Sequence, residues 1–484
     1  MTYYLGIDQG SHSSRAVLFD ADGGIVADAS RQVTIARYGK GRVEHDAGQL
    51  LASVKQVIHQ VLAVLDESQQ QQVASCGIAT QRSTMLAWNV DGDVLSPVLS
   101  WQDVRATEVL DHLGPHEKEI RRLTGLPLTP YYSAAKMNWL LQHSDAVRQY
   151  DRSMLRLSPL ASYLLFYLVS DRPYVIDYSN AQRTQLFGLD ALTWSERLCS
   201  LFDVDQRCLP ECRPVCSEYG KLADTDIPIT AVCGDQNAAM FGVGALKRGE
   251  ALVNIGSGAF VLRELDTFSN SGNQLTGIAY ADDHSISYMR EATINGAGNA
   301  LSWAQDEWGI DDISGKLPQW IDTVNQPPVF INTIGGLGTP WMCSGAAPGF
   351  VDNAGYSDAE KSVAVIESIV FMIQVNLELM AAESPLKRLR VSGGLSNQDG
   401  LCQKLSNLSG MEIERANVTE ATARGAAWLA AGRPHSWISA ARNTGGGFRA
   451  FTPRKDQKLE ARYQVFKTAM NRVVSDCHAG RTES

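Results

Sequence analysis

At 484 residues the chain is too long for one hydrophobic core, so two or more domains are expected. With 44% hydrophobic and 20% charged residues it is neither disordered nor fibrous, and a net charge of −10 argues against general nucleic-acid or anionic-membrane binding. No basic and apolar leader pattern opens the chain, and its apolar runs, such as residues 160–169, read as too short to span a bilayer, so a cytoplasmic protein with reduced cysteines is predicted.

Residues 3–20 read as a strand-turn-strand hairpin, with Asp8 ahead of the turn Gly10-Ser11-His12-Ser13-Ser14 and Arg15 after it. Small residues let backbone N–H groups approach an anion, the hydroxyls of Ser11, Ser13 and Ser14 add donors, and Arg15 can neutralise phosphate charge. Asp8 cannot bind phosphate, but it can orient the hydrated Mg²⁺ that a nucleotide carries. Many hairpins hold Gly and Ser for turn geometry alone, and that reading stands beside the first.

Residues 25–33 read as a third strand, and Asp46, with Gln49 at the capping-box position, opens a helix with Leu50, Val54, Val57, Ile58 and Val61 on one face. Residues 73–80 read as a buried strand with Gln81-Arg82-Ser83-Thr84 at its exit; an isolated Arg of this kind is more often in a surface ion pair. Trp101-Gln102-Asp103 repeats that arrangement of polar groups after an apolar stretch. Residues 131–143 read as a turn and an amphipathic helix, 155–169 as a buried helix and 177–184 as a polar loop. Cys208, Cys212 and Cys216 recur at four-residue spacing, but Pro210 and Pro214 break any helix and no His is near, so ordinary cytosolic cysteines are the better reading. Asp235 and Gln236 stand where a strand gives way to a small-residue helix, whose dipole favours a carboxylate and would hold its pKa low; capping alone would also explain Asp235.

From Gly249 the architecture starts again. Residues 251–262 form a second hairpin pattern around Gly256-Ser257-Gly258, followed by a strand at 286–290, a helix at 291–303 and an apolar helix at 362–382. The bare backbone of Gly393-Gly394 would let a flat ring such as adenosine approach. Gly445-Gly446-Gly447 reads as a joint before an amphipathic tail helix.

Two phosphate-type hairpins, one per half, resemble the actin-like ATPase and sugar-kinase arrangement. That implies an α/β fold of two actin-like (ribonuclease H-like) domains with a cleft between them, here residues 1–244 and 245–484. Over nearly its whole length the chain also resembles the FGGY family of carbohydrate kinases, nearest to its glycerol kinase branch. The resemblance rests on Ile7-Asp8-Gln9-Gly10, Ser13-Ser14-Arg15-Ala16, Val43-Glu44-His45-Asp46, Gln81-Arg82, Trp101-Gln102-Asp103, the stretch from Tyr131 through Lys136 to His143, Asp177-Tyr178-Ser179-Asn180-Ala181 and Gly234-Asp235-Gln236.

It implies ATP-dependent phosphorylation of a small polyol or sugar with Mg²⁺, Asp235 as general base and Asp8 supporting the metal through water. It further implies that Ser11, Ser13, Arg15, Ser257 and Gly258 serve the phosphates, and that Gly298, Ser302, Gly394 and Asn397 hold the nucleotide. Arg82, Trp101, Tyr131, Asp235, Gln236 and Phe260 fall on the acceptor positions. Glycerol kinases carry Glu after the motif Arg. Ser83 stands there instead, leaving room for a larger acceptor, such as a tetritol or a ketose of the xylulose or ribulose type. His12 also replaces a small residue of the first loop. The rival from another class is an actin-like ATPase or binding module, against which Arg82, Trp101 and Tyr131 beside Asp235 argue; a non-catalytic paralogue is a third reading, against which the presence of both Asp8 and Asp235 counts. No nucleic-acid or membrane partner is expected, and a homodimer is compatible with the sequence.

Overall fold

In the computed structural model, which describes residues 2–39, 41–269, 272–343, 345–352, 354–415, 420–437 and 448–479, the opening hairpin is β1 (Tyr3–Gln9) and β2 (Ser13–Asp20). The Gly445-Gly446-Gly447 joint lies outside the described residues. Asp8 faces Arg15 across the ladder, and β3 (Ile25–Gln32) extends the antiparallel set. Helix α1 (Ala47–Leu62) is capped by the Asp46 carboxylate, which accepts the Gln49 N–H at 2.6 Å. The predicted capping box is half made, because the Gln49 side chain turns to Thr34.

β4 (Val73–Thr80) and β5 (Ile229–Gly234) lie parallel to β1, giving the order β5-β4-β1-β2-β3, and β5 leads into helix α2 (Asp235–Phe241). Between β4 and β5 the structure corrects two expectations. Residues 155–169 divide into a strand, Leu155–Pro159, and a helix, Leu160–Leu168, because Pro159 keeps the residue before it out of the helical region. The 177–184 loop contains a helical turn, Tyr178–Gln182, capped by Asp177.

The second half repeats the plan. β6 (Glu250–Ile255) and β7 (Ala259–Leu265) form the hairpin, and β8 (Leu275–Ala281) and β9 (Ile286–Ile294) follow, then helices α3 (Gly298–Trp308) and α4 (Asp358–Glu383). β10 (Arg388–Ser392) and β11 (Glu412–Arg415) run parallel to β6, followed by helix α5 (Ala421–Ala430) and β12 (Arg449–Phe451). Within the order β8-β9-β7-β6-β10-β11-β12, the run β9-β7-β6-β10-β11 copies β3-β2-β1-β4-β5 in sequence and strand direction. The chain is therefore an α/β protein of two actin-like domains.

β9 continues past the predicted end at 290, and the helix predicted at 291–303 starts instead at Gly298. Arg290 and Glu291 stay in the strand because each buried side chain finds opposite charge, Arg290 in Glu383 and Glu291 in two arginines. α4 is long and apolar enough to cross a bilayer by length and composition, contrary to the sequence reading. It is mostly buried, with Val363, Ile366, Ile369, Val370 and Ile373 in the second core.

α5 returns to the first half. The small residues on its face lie so close to the first sheet that a Cβ on Gly6 would stand 2.1 Å from the Ala423 carbonyl oxygen, and one on Gly77 2.0 Å from that of Ala426. Hydroxyls from β4 and β5, those of Ser75 and Thr230, each donate to the Ala430 carbonyl at its far end at 2.9 Å.

Candidate active site

Because β1, β4 and β5 are parallel and share register, Asp8 and Cys233 both lie opposite Ala79. The residues at or just beyond their carboxyl ends, Asp8, Arg82 and Asp235, therefore converge on one edge, where open α/β sheets bind ligands. The Arg82 side chain passes Gly234 so closely that a Cβ there would lie 2.5 Å from its Cγ and Cδ. Arg82 is buried rather than in a surface pair. Its Nη1 and Nη2 donate to the two oxygens of Glu291 at 2.8 and 3.0 Å, Nη1 also reaches Asn237 Oδ1 at 3.3 Å, and Nε stands 3.5 Å from Asp235 Oδ1. Glu291, 1% exposed, also accepts from Arg183 Nη2 at 2.6 Å.

Asp235 accepts the Gln236 N–H at 2.7 Å. Desolvation raises its pKa above the ordinary carboxylate value; the charge of Arg82 opposes the rise and that of Glu291 adds to it. The low pKa expected from the helix dipole is thus overridden by the protein packed around the group. Asp8 is pushed up to about 7, by desolvation first and then by the charge of Asp235, with Arg15 pulling the other way. A carboxylate whose charge is disfavoured until a cation arrives fits a Mg²⁺ that comes with the nucleotide, an ion usually held by one or two carboxylates and phosphate oxygens. Among the described residues no cluster of three or more His, Cys, Asp or Glu side chains could cage a metal.

Around this edge the first turn is tied down. The Ser11 hydroxyl donates to Gln81 Oε1 at 3.1 Å and accepts from Trp101 Nε1 at 3.0 Å, and the Ser13 carbonyl accepts the Gly10 N–H. Ser14 is a correction: its hydroxyl meets that of Ser53 on α1 at 2.7 Å, inside the core and away from the turn. Arg15 Nη1 donates to Glu420, which immediately precedes α5. Ser83 takes a left-handed φ of 61°, and its hydroxyl donates to the Arg183 carbonyl at 3.3 Å. Tyr131 is half-buried. Its carbonyl and that of Ser100 accept from Lys136 Nζ at 2.7 and 2.9 Å, and desolvation pushes that ammonium down to about 7. Asn254 on β6 donates to Gln236 Oε1 at 3.2 Å and pairs in register with Phe260, so both border Asn254.

The remaining residues gather at the second sheet. The Gly256 carbonyl accepts the Gly298 N–H at 3.0 Å, and the Ser257 carbonyl accepts that of Asn299 at 2.9 Å. A Cβ on Gly258 would stand 2.9 Å from the Ile294 oxygen, and one on Gly393, at φ +89°, would stand 2.5 Å from that of Ile255. The second hairpin, the start of α3 and the Gly393-Gly394 turn are thus packed backbone to backbone. Ser302 lies one turn along α3, its hydroxyl 3.4 Å from the Gly298 carbonyl, and Gly394 and Asn397, both exposed, bound a helical turn. Sequence reasoning singled out neither Glu291, Arg183 nor Glu420. The available signal for Glu291 was the pair of charges interrupting an otherwise uncharged strand.

The family profile for the N-terminal domain of the FGGY family of carbohydrate kinases matches residues 3–242, and that for the C-terminal domain matches residues 251–432. The glycerol kinase of Roseobacter denitrificans is 33% identical over 506 residues, covering 98% of this chain and 100% of its own. The structure of Plasmodium falciparum glycerol kinase with ADP superposes with a TM-score of 0.88 at 24% identity, over 98% of each chain. A ligand-bound xylulose kinase from Lactobacillus acidophilus superposes with a TM-score of 0.85 at 18% identity, over 99% of this chain and 100% of that one. Likenesses at such identities carry the shared fold and leave the acceptor undecided.

Proposed function

Because the chain belongs to the FGGY family of carbohydrate kinases, we propose that it transfers the terminal phosphoryl group of ATP to a hydroxyl of a small polyol of the glycerol type. The observation that carries this reading is Asp235, raised in pKa and contacted by Arg82, on the same strand edge as Asp8. Asp235 takes the proton from the acceptor hydroxyl as the hydroxyl oxygen bonds to the terminal phosphorus and the bond from that phosphorus to the bridging oxygen of the departing ADP breaks. A phosphoryl transition state of loose character needs placement and charge neutralisation more than a strong base. Asp8 would hold, through water, the Mg²⁺ that arrives with the nucleotide, and that ion would supply part of the neutralisation. Ser11, Ser13 and Arg15 of the first hairpin and Ser257 and Gly258 of the second hold the phosphates; Gly298, Ser302, Gly394 and Asn397 hold the nucleoside. Arg82, Ser83, Trp101, Tyr131, Gln236 and Phe260 wall the acceptor. Residues 1–244 are assigned the acceptor site and first phosphate loop, and 245–484 the second loop and the adenosine site.

Ser83 favours one alternative acceptor class. With its hydroxyl turned to the Arg183 carbonyl, it offers a short neutral wall, which suits a ketose or longer polyol. ADP release with ATP and Mg²⁺ against glycerol, tetritols, pentitols, pentuloses and hexoses separates these. Selective turnover of glycerol supports the first reading and of a pentulose the second; ATP hydrolysis indifferent to every acceptor overturns both. Asp235→Asn is expected to lose turnover at least about a hundredfold while still binding ATP, and substantial retained turnover would remove Asp235 from the role of base.

A further inference from the structure

Two arginines of the first half share one carboxylate of the second. Glu291 on β9 stands 209 residues from Arg82 and 108 from Arg183 in sequence, yet it takes a two-pronged contact from the first and a 2.6 Å contact from the other. We propose that Glu291 is a positioning residue for phosphoryl transfer: by occupying both Nη atoms of Arg82 it keeps that guanidinium from closing a two-pronged pair on Asp235. The inference rests on Asp235 being the base.

A guanidinium fork and a carboxylate make the strongest of the common side-chain pairs. Were Arg82 to close its fork on Asp235, it would occupy the lone pairs that must receive the acceptor proton. Glu291 takes the fork instead, and Asp235 is left with one contact to Nε, at 3.5 Å. Asn237 holds the arrangement, its Nδ2 donating to the Ile278 carbonyl at 2.6 Å while its Oδ1 receives Arg82. Burial alone would push the Glu291 pKa up, but Arg183 and Arg82 together hold it below the usual range, so it remains an anion in a place that is 1% exposed. The charges facing Asp235 are therefore Arg82 and Arg183, which favour its ionised form, and Glu291 and Asp8, which oppose it; the Cys233 thiol beside it is held neutral by burial.

Two substitutions should move the pH dependence of turnover in opposite directions, which a merely structural role would not do. In Glu291→Gln, Arg82 is released toward Asp235: kcat falls about tenfold or more and the acidic limb of its pH profile moves to lower pH. Arg183→Met removes a positive charge while leaving the Arg82–Glu291 contact, and its acidic limb moves to higher pH. Glu291→Asp restores part of kcat. ATP binding by calorimetry, expected to be near that of the unmodified protein, shows that each variant is folded. An acidic limb unmoved or moved upward in Glu291→Gln, with ATP binding intact, overturns the proposal. Should that variant not fold, Glu291→Asp decides: a shorter carboxylate that holds the fork less well lowers kcat and moves the acidic limb part of the way down, whereas kcat and limb both unmoved overturn the proposal. If Asp235→Asn retains turnover, the base assignment itself fails, an outcome separate from these.

Discussion

At Asp8, function and stability pull against each other. The group's pKa rises from 3.8 to about 7 on folding, chiefly by desolvation and by the charge of Asp235. The folded state therefore binds the proton more tightly than the unfolded chain, and the stability this gives is present below pH 3.8 and lost as pH rises through about 7. Asp8→Asn carries no such charge. Its melting temperature is expected to climb relative to the unmodified protein between about pH 4 and about pH 7, to exceed it by at least about 2 °C at pH 8, and the variant should have lost turnover. Equal melting temperatures at pH 5 and pH 8 would show that Asp8 carries no strain. Lys136 gives a second residue-scale expectation. Its side chain joins the backbone just before Trp101 to that of Tyr131, two walls of the proposed acceptor site. Leaving a buried hydrogen-bonding group without its partner typically costs about 1–3 kcal/mol, so Lys136→Met should raise the KM for the acceptor about tenfold or more while the KM for ATP stays within about twofold. Equal increases in both would mark a global disturbance instead.

The decisive element is α5, a helix of the second half that lies on the first sheet. Ala421, Ala423, Ala426 and Ala427, with Gly425, give it a flat face, and Gly6, Gly77 and Gly242 give the opposing surface no Cβ at the points of contact. Gly77→Ala would place a methyl 2.0 Å from the Ala426 carbonyl oxygen, so helix or sheet must move. Overpacking of this kind typically costs about 1–3 kcal/mol, readable as a lower urea midpoint; an unchanged midpoint would mean the helix shifts freely. This element also shows where sequence reading reaches its limit. The two hairpins were legible because a Gly-Ser turn between apolar runs is a local signal, and so was β4, whose bounds match the predicted strand. Nothing local in Ala421–Ala430 says which sheet it covers, since its partners are small residues far away in the chain. Glu291 stayed hidden for the same reason: Arg82 and Arg183 become its neighbours only when the halves meet. Asp235 was singled out as a candidate, but the direction of its pKa shift was misjudged, because the helix terminus is visible in sequence and the surrounding desolvation is not.

Across the whole molecule, the two halves meet at an ion pair that a nucleotide held by Arg15 would have to contend with. Arg15 belongs to the first hairpin and Glu420 precedes the helix that the second half sends back, and their side chains are 40% and 24% exposed. If Arg15 serves the phosphates as proposed, ATP competes with Glu420 for the same guanidinium. The Glu420 charge also adds to the rise in the pKa of Asp8, so it disfavours the carboxylate that a magnesium-bound nucleotide would use. Both effects predict that Glu420→Gln binds ATP more tightly. A pair this exposed contributes about 0–1 kcal/mol after solvent screening, which limits the gain to about fivefold and makes it shrink with added salt. Calorimetric titration of ATP at fixed Mg²⁺, at low and high ionic strength, reads both features. Weaker binding by Glu420→Gln would reverse the argument, making Glu420 a group that the loaded nucleotide needs rather than one it displaces.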